Sequence, residues 1–397
     1  MRVLIAPMSA AAETGGPAGR CKLLAEGFKR AGIDVATCMA DDVNFKKIEG
    51  VDNYYLDVPV SLGLPEFIGG RLFPVARKLG ITSRKTVSSF EEVLHFTGNL
   101  DYRYLSKSVE SILEAIEDFG PDVVYSEFNI SALIAARLEG VRLCATVSYP
   151  TQYEYAHDDS LSKDLNRLLS ELSLPKVRSA LDLFDFADLK FCPSIRELEP
   201  IDKENVFFCG ALKSSRAEKT IKDANTESVQ RNRILVYMGN GTVSAAKMKQ
   251  VVTDAFAESR YEVYIASSYL EAKNEGNIHI APRWDFDRLL EKAVLFINHG
   301  GQNSVIDGLI HGVPQVMVPG KVFERKFNAK SVADNGAGII LPYDEFRTES
   351  LRNAAAQLAE SEKAQKKAAA LGAKLMAAGG VQTIARILDS SVEIVSR

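Results

Sequence analysis

The chain has 397 residues, 46% of them hydrophobic and 25% charged, with 48 Lys+Arg against 52 Asp+Glu and a formal net charge of −4. This composition excludes collagen-like, disordered and disulfide-scaffold proteins, and at roughly 150 residues per domain the length suits two domains. A slightly acidic chain has no overall positive field to collect phosphate backbone, so small-molecule chemistry is expected and nucleic-acid binding is not.

Val3 to Ala6 is a short apolar run. The small and glycine-rich stretch Ser9 to Gly19 follows, then an amphipathic pattern through Leu23, Leu24, Phe28 and Ala31 that Gly32 ends. This reads as strand, loop and helix. The opening MRVLIAPMSAAAE has one basic residue and an early Pro7, so it reads as the first strand and not as a leader. No run reaches the ~18 apolar residues of a membrane span. Glu66 to Lys85 mixes Phe67, Ile68, Leu72, Phe73 and Val75 with Arg71, Arg77, Lys78, Arg84 and Lys85. Such a segment can rest on anionic lipid as a peripheral membrane contact; a helix or loop covering an acceptor is the other reading.

Short β-rich runs alternate with helical ones along the rest of the chain: Ile33 to Met39, Val123 to Tyr125, Arg142 to Tyr149, Val206 to Cys209, Ile234 to Met238, Glu262 to Ala266, Ile278 to Ile280, Val294 to Asn298, Gln315 to Val318 and Gly338 to Leu341. Alternation of this kind implies parallel sheets covered on both faces. Ser214 to Arg233 is polar, charged and without apolar periodicity, as linkers are. The expected organisation is a Rossmann-like domain over 1–213, a linker over 214–233, a second Rossmann-like domain over 234–378, and a helix over 379–397 for which packing back on the first domain is open. Thr348 to Ala378 is expected to be helical. The five cysteines (Cys21, Cys38, Cys144, Cys192, Cys209) are odd in number and form no CxxC pair, so they read as reduced core residues of a cytoplasmic protein.

Asn298 to Pro319 reads NHGGQNSVIDGLIHGVPQVMVP. An apolar strand ends at Asn298, and a helix carrying Val305, Ile306, Leu309 and Ile310 begins near Asn303. Gly300 and Gly301 allow close backbone approach, and a helix start offers unpaired N–H groups and a positive dipole end, so an anion is expected there. Gly239, Asn240, Gly241 and Thr242 end the first strand of the second domain, where a turn can offer further N–H groups. Asp285 and Asp287 precede a helix expected around Leu289 to Ala293, which makes capping their expected role and not metal binding. No His, Cys and carboxylate cluster has ligand spacing, so no metal and no cofactor is expected.

The Asn298 to Pro319 block resembles the donor motif HxGxxSxxExxxxGxP of the family 1, UDP-glycosyltransferase-like enzymes. The resemblance implies an α/β GT-B fold, two facing Rossmann-like domains with a cleft between them, and a cytoplasmic glycosyltransferase that inverts the anomeric centre without a metal. Its donor would be a nucleotide sugar, UDP-linked by preference, and its acceptor a small molecule or a lipid-linked one. By the same resemblance His299 and Ser304 bind the donor diphosphate beside Asn303, Gly300 and Gly301, and Asp307 takes the ribose hydroxyls. Glu324 and Arg325 stand where the family has an acidic residue and Gln touching the sugar; Arg325 has no acceptor and cannot act as Gln does. Trp284, the single tryptophan, lies near the base-binding turn, where stacking on uracil and burial in the core are both open.

Gly15, Gly16, Pro17 and Arg20 resemble the acceptor-side loop of the bacterial lipid-linked N-acetylglucosaminyltransferases. Pro17 replaces a histidine that many family members use as base, and proline cannot accept a proton. Glu127, at a strand end, and Glu13 are the candidate replacements, with His157 behind them. Arg20 reads either as a binder of an acidic acceptor or a phosphate, or as an exposed helix residue. The alternative to an active enzyme is a catalytically impaired relative that binds a nucleotide sugar or a partner protein.

Overall fold

Apolar strands separated by amphipathic helices build two seven-stranded sheets, each in its own compact unit. The computed structural model describes residues 1–9, 15–40, 47–60, 86–213, 231–239 and 242–395. Of these, 1–60, 88–213 and 378–395 form the first unit, and 86–87 and 231–377 the second. Among the described residues no helix is long and apolar enough to cross a membrane.

The first sheet contains β1 (Arg2–Pro7), β2 (Asp34–Ala40), β3 (Asp52–Leu56), β4 (Val123–Glu127), β5 (Arg142–Thr146), β6 (Leu189–Cys192) and β7 (Val206–Phe208), in the order β3-β2-β1-β4-β5-β6-β7. Every pairing is parallel. Burial on both faces is why β1 and β4 read as unbroken apolar runs and not as alternating ones. The order reverses between β1 and β4, whose carboxyl ends pair as Pro7 with Glu127. Such a reversal opens a crevice at the strand ends, the usual ligand position in open sheets. Helix Gly380–Val395 belongs to this unit: Val381, Ile384 and Leu388 share a core with Leu24 and Phe28 of helix Gly15–Arg30. Gly27 admits that contact, since a Cβ there would lie 2.3 Å from Val381 Cγ1.

The second sheet contains β8 (Arg233–Tyr237), β9 (Glu262–Ala266), β10 (Lys273–Glu275), β11 (Ile278–Ala281), β12 (Ala293–Asn298), β13 (Gln315–Met317) and β14 (Gly338–Ile340), ordered β10-β11-β9-β8-β12-β13-β14. Only β10 runs antiparallel, against β11. Its reversal point lies between β8 and β12, which end side by side at Tyr237 and Asn298. Both glycine-containing turns singled out in the sequence therefore leave the sheet at one place.

Several elements differ from the sequence expectation. Helix Gly15–Arg30 starts well before the amphipathic pattern, so Gly15, Gly16, Pro17 and Arg20 are helical and not in a loop. Pro17 is tolerated because it sits in the first turn, where its missing N–H has no intrahelical acceptor to lose. The helical stretch Thr348 to Ala378 is two helices, Thr348–Ala359 and Glu362–Ala377. The helix expected around Leu289 is the short Phe286–Leu290, capped by Asp285, whose side chain accepts from the Arg288 N–H. Strands β3, β6 and β10 had no sequence signal; β10 is fully exposed and β3 carries two polar residues at its start. Val87 joins the second unit through Val87 N–H to Lys321 O (3.1 Å) and Phe323 N–H to Val87 O (3.0 Å). Residues 214–230 of the expected linker and 66–85 of the basic-apolar segment lie outside the described residues. All five cysteines are buried and free, and burial pushes the Cys38 thiol up to about 12, which makes it inert.

Helix Gln302–Ile310 is held close to helix Glu362–Ala377 by Gly372: a Cβ there would lie 2.0 Å from Leu309 O and 2.8 Å from Ile310 Cα. Backbone cannot give way as a side chain can. Gly372→Ala is therefore expected to destabilise the chain by about 1–3 kcal/mol, read as a lowered Tm, and an unchanged Tm would show that the two helices are not in register.

Candidate functional site

β12 delivers Asn298 into the core with 0% exposure, and its side chain shapes the turn that follows. Asn298 Oδ1 accepts from the Gly300 N–H (2.8 Å), and Asn298 Nδ2 donates to Gln315 Oε1 (2.8 Å). Gln315 Nε2 in turn donates to Val305 O (2.8 Å), and Asn328 Nδ2 to Gly300 O (3.0 Å). These buried amides fix the turn against β13 and two helices, since unsatisfied amides there would cost about 1–3 kcal/mol each. Sequence reasoning missed Gln315 and the buried amide role of Asn328. The signal available was polar amides at positions that the apolar pattern marks as core.

His299 lies 9% exposed in a slot made of glycine. A Cβ on Gly301 would stand 2.5 Å from His299 Nε2, and one on Gly239 2.9 Å from His299 Cε1. Gly239 takes φ +56 and Gly300 φ +77, where a Gly300 Cβ would meet Arg325 O at 2.7 Å. The glycines thus make room for the imidazole and for neighbouring backbone. Tyr237 packs edge-on to the ring at 5.5 Å.

Burial above all, and then the nearby Arg325 charge, push the His299 pKa down to about 3 against the opposing effect of a hydrogen bond to the Tyr237 backbone. The ring is therefore neutral at pH 7, and its Nδ1 has no hydrogen-bond partner among the described residues. An imidazole buried in its neutral form contributes stability that is whole above its unfolded pKa of about 6.5 and is lost as pH falls towards about 3. Between pH 7 and pH 5 the loss should be about 2 kcal/mol, and His299→Asn should flatten that part of the urea-stability profile. An equal pH slope in both proteins would contradict the neutral buried ring.

Helix Gln302–Ile310 starts from the Gly301 N-cap, and no side chain caps it. The Asn303 and Ser304 N–H groups are first-turn donors without an intrahelical acceptor, presented beside His299. Ser304 is 6% exposed, Asn303 is exposed and Asp307 is half-buried one turn on. Across the turn, the half-buried Arg325 donates from Nη1 to Thr242 Oγ1, which ties helix Phe323–Asp334 to the turn after β8. Glu324 is half-buried beside it. Trp284 donates from Nε1 to Ile265 O (3.1 Å), packs on the Leu235, Leu289 and Phe296 cluster and stands perpendicular to Tyr264 at 5.2 Å. Asn240 and Gly241 lie outside the described residues. The structure thus brings together His299, Gly300, Gly301, Ser304, Gly239, Thr242 and Arg325. Among the described residues no group of His, Cys, Asp and Glu could hold a metal ion.

In the first unit, Glu127 ends β4 with 0% exposure. Its Oε1 pairs with Arg20 Nε and its Oε2 accepts from Thr146 Oγ1. Both oxygens are engaged and neither faces solvent, so Glu127 is an ion-pair partner and not the proton acceptor expected from its strand-end position. Arg20, correspondingly, is not an exposed helix residue: it is buried with its Nε on Glu127. The next residue, Phe128, takes φ +61, a strained conformation for a side chain with a Cβ. Asn129 holds the corner by donating from Nδ2 to Pro7 O (3.1 Å) and capping helix Ile130–Glu139. His157 stacks on Tyr153 at 3.7 Å with its Nδ1 against Tyr153 O, and Glu13 lies outside the described residues.

Comparison with known proteins adds four findings. Residues 250–390 match the family described as erythromycin biosynthesis protein CIII-like, C-terminal domain. The chain is 24% identical over 307 residues to the NDP-glycosyltransferase YjiC of Bacillus subtilis (strain 168), covering 72% of this chain and 78% of that protein. Its fold is that of the calicheamicin glycosyltransferase CalG4, with TM-score 0.73 and 17% identity, covering 100% of this chain and 99% of the other. It is equally that of the Streptomyces sp. SF2575 glycosyltransferase SsfS6 complexed with thymidine diphosphate, with TM-score 0.65 and 18% identity over 98% and 99% of the two chains.

Proposed function

We propose that the chain is a family 1 glycosyltransferase of the GT-B fold whose second unit binds a nucleoside-diphosphate sugar and whose first unit binds the acceptor. The observation that carries this reading is the start of helix Gln302–Ile310, which no side chain caps, beside the neutral His299, whose Nδ1 lacks a partner among the described residues. Backbone donors and a neutral imidazole suit a diphosphate better in its leaving form than water would, because they are already oriented when charge develops.

In the proposed reaction an acceptor hydroxyl oxygen attacks the anomeric carbon, whose bond to the diphosphate oxygen breaks with that oxygen keeping the electron pair. The centre inverts. The Asn303 and Ser304 N–H groups, the Ser304 hydroxyl and His299 hold the departing charge, so the step is proposed to need no metal. Asp307 would take the ribose hydroxyls, Glu324 the sugar hydroxyls and the exposed side of Trp284 the base. Uridine is the first candidate base and thymidine, found in the SsfS6 complex, the second. The acceptor, a small molecule or a lipid-linked one, would lose its proton to Glu13, the carboxylate that remains once Glu127 is committed to Arg20.

Incubation with uridine- and thymidine-diphosphate sugars should release nucleoside diphosphate, faster with hydroxylated acceptors and unaffected by EDTA, and the glycoside should have the opposite anomeric configuration. Glu13→Gln should lower kcat by about 100-fold or more with the donor KM unchanged. The fixed Pro17 and the engaged Glu127 favour one second reading, a relative that binds nucleotide sugars without transfer. Binding without release in any donor and acceptor pairing would establish that reading in place of the first.

A further inference from the structure

We propose that the cation facing the donor diphosphate in this chain is Arg325, held in place by Thr242, with the neighbouring His299 acting only as an uncharged hydrogen-bonding group. The inference rests on the nucleotide-sugar reading above and assigns the charge within that site. Neither turn supplies a cation of its own: 298–310 contains no Lys or Arg, and neither does 234–244. Arg325 enters from a third element, the first turn of helix Phe323–Asp334. Its carbonyl oxygen lies 2.7 Å from the position of a Gly300 Cβ, so its backbone packs directly on the His299 turn. Its guanidinium reaches across to Thr242 Oγ1, whose own Cγ2 would be 2.9 Å from a Cβ on Gly320. The charge is felt by both aromatic neighbours of the slot, lowering the pKa of His299 and opposing the upward shift of Tyr237.

The electrostatics favour an anionic occupant. Burial works against the Arg325 charge, and Glu324 beside it supports that charge. A guanidinium that has already lost part of its hydration gains more from a phosphate oxygen than a fully exposed one does. A guanidinium has only donors, so it cannot replace the mixed donor and acceptor pattern of an amide toward sugar hydroxyls; phosphate oxygens, which only accept, match it.

The test is calorimetric titration of uridine and thymidine as nucleoside, 5′-monophosphate and 5′-diphosphate, at two salt concentrations, into the wild-type chain, Arg325→Gln, Arg325→Lys and Thr242→Val. The expected result is a loss of 30-fold or more in diphosphate affinity for Arg325→Gln, with less than threefold for the nucleoside and a weaker salt dependence. Arg325→Lys should keep diphosphate affinity within about tenfold, and Thr242→Val should lose three- to tenfold for the diphosphate alone. Diphosphate affinity of Arg325→Gln within threefold of wild type would overturn the inference and leave the functional reading standing. An equal loss for nucleoside and diphosphate would also overturn it, by showing a structural role. Absence of binding of either diphosphate by the wild-type chain would overturn the functional reading and the inference together.

Discussion

Gly301→Ala should reduce nucleoside-diphosphate affinity by at least tenfold while leaving the far-UV spectrum of the chain unchanged. Gly301 has φ −66 and ψ 141, a conformation that alanine adopts without strain, so the backbone gives no reason for a loss. The added Cβ would stand 2.5 Å from His299 Nε2 and 3.0 Å from its Cε1, inside any real contact distance. On the other side the Gly239 backbone lies close, since a Cβ built there would be only 2.9 Å from the ring, so little room is left for retreat. The imidazole must rotate out of the slot or force the turn open, at a cost of about 1–3 kcal/mol. Either response moves the group proposed to meet the diphosphate. A cycle isolates the cause: in a His299→Ala background the same change should lose little more, and full additivity would show that the two residues act separately.

Arg20→Met should be the more damaging change to stability, by about 3–5 kcal/mol, because it leaves a carboxylate buried without its cation. Glu127 is fully buried and the Arg20 side chain only 10% exposed, so water cannot take over from the lost partner. Thr146 would remain as a single neutral donor. Replacing both members by methionine should recover part of the loss, since two well-packed apolar groups need no pairing. Urea unfolding of the wild type, Arg20→Met and the double variant measures this, and a loss below about 1 kcal/mol for Arg20→Met, the range of exposed pairs, would mean that the pair is solvated.

These outcomes show where the sequence was legible. Parallel strands buried on both faces announce themselves as apolar runs, which is why β1, β4, β9 and β12 coincide with the sequence pattern to within two residues at either end. The start of helix Gly15–Arg30 was not legible: its first turn is Gly15, Gly16 and Pro17, residues that signal a loop unless the apolar face behind them is known. Strand β10 was missed because it is exposed and carries only Lys273, Asn274 and Glu275.

At the site, residue identity was readable and partnership was not. The pattern from His299 to Asp307 located the turn and the helix start, since both follow from local spacing. That Gly239 and Gly301 close on one imidazole, or that Arg325 lies against Gly300 and reaches Thr242, depends on three segments up to 86 residues apart in the numbering, 239 against 325. Glu127 was misread for the same reason. A carboxylate at a strand end is equally a base or half of an ion pair, and only the position of Arg20, 107 residues earlier, decides.

The most direct measurement is a crystal structure of the chain soaked with uridine or thymidine diphosphate. The account predicts phosphate oxygens within hydrogen-bond distance of the Asn303 and Ser304 N–H groups and of His299. A nucleotide seated away from the start of helix Gln302–Ile310, or no bound nucleotide at saturating concentration, would contradict it.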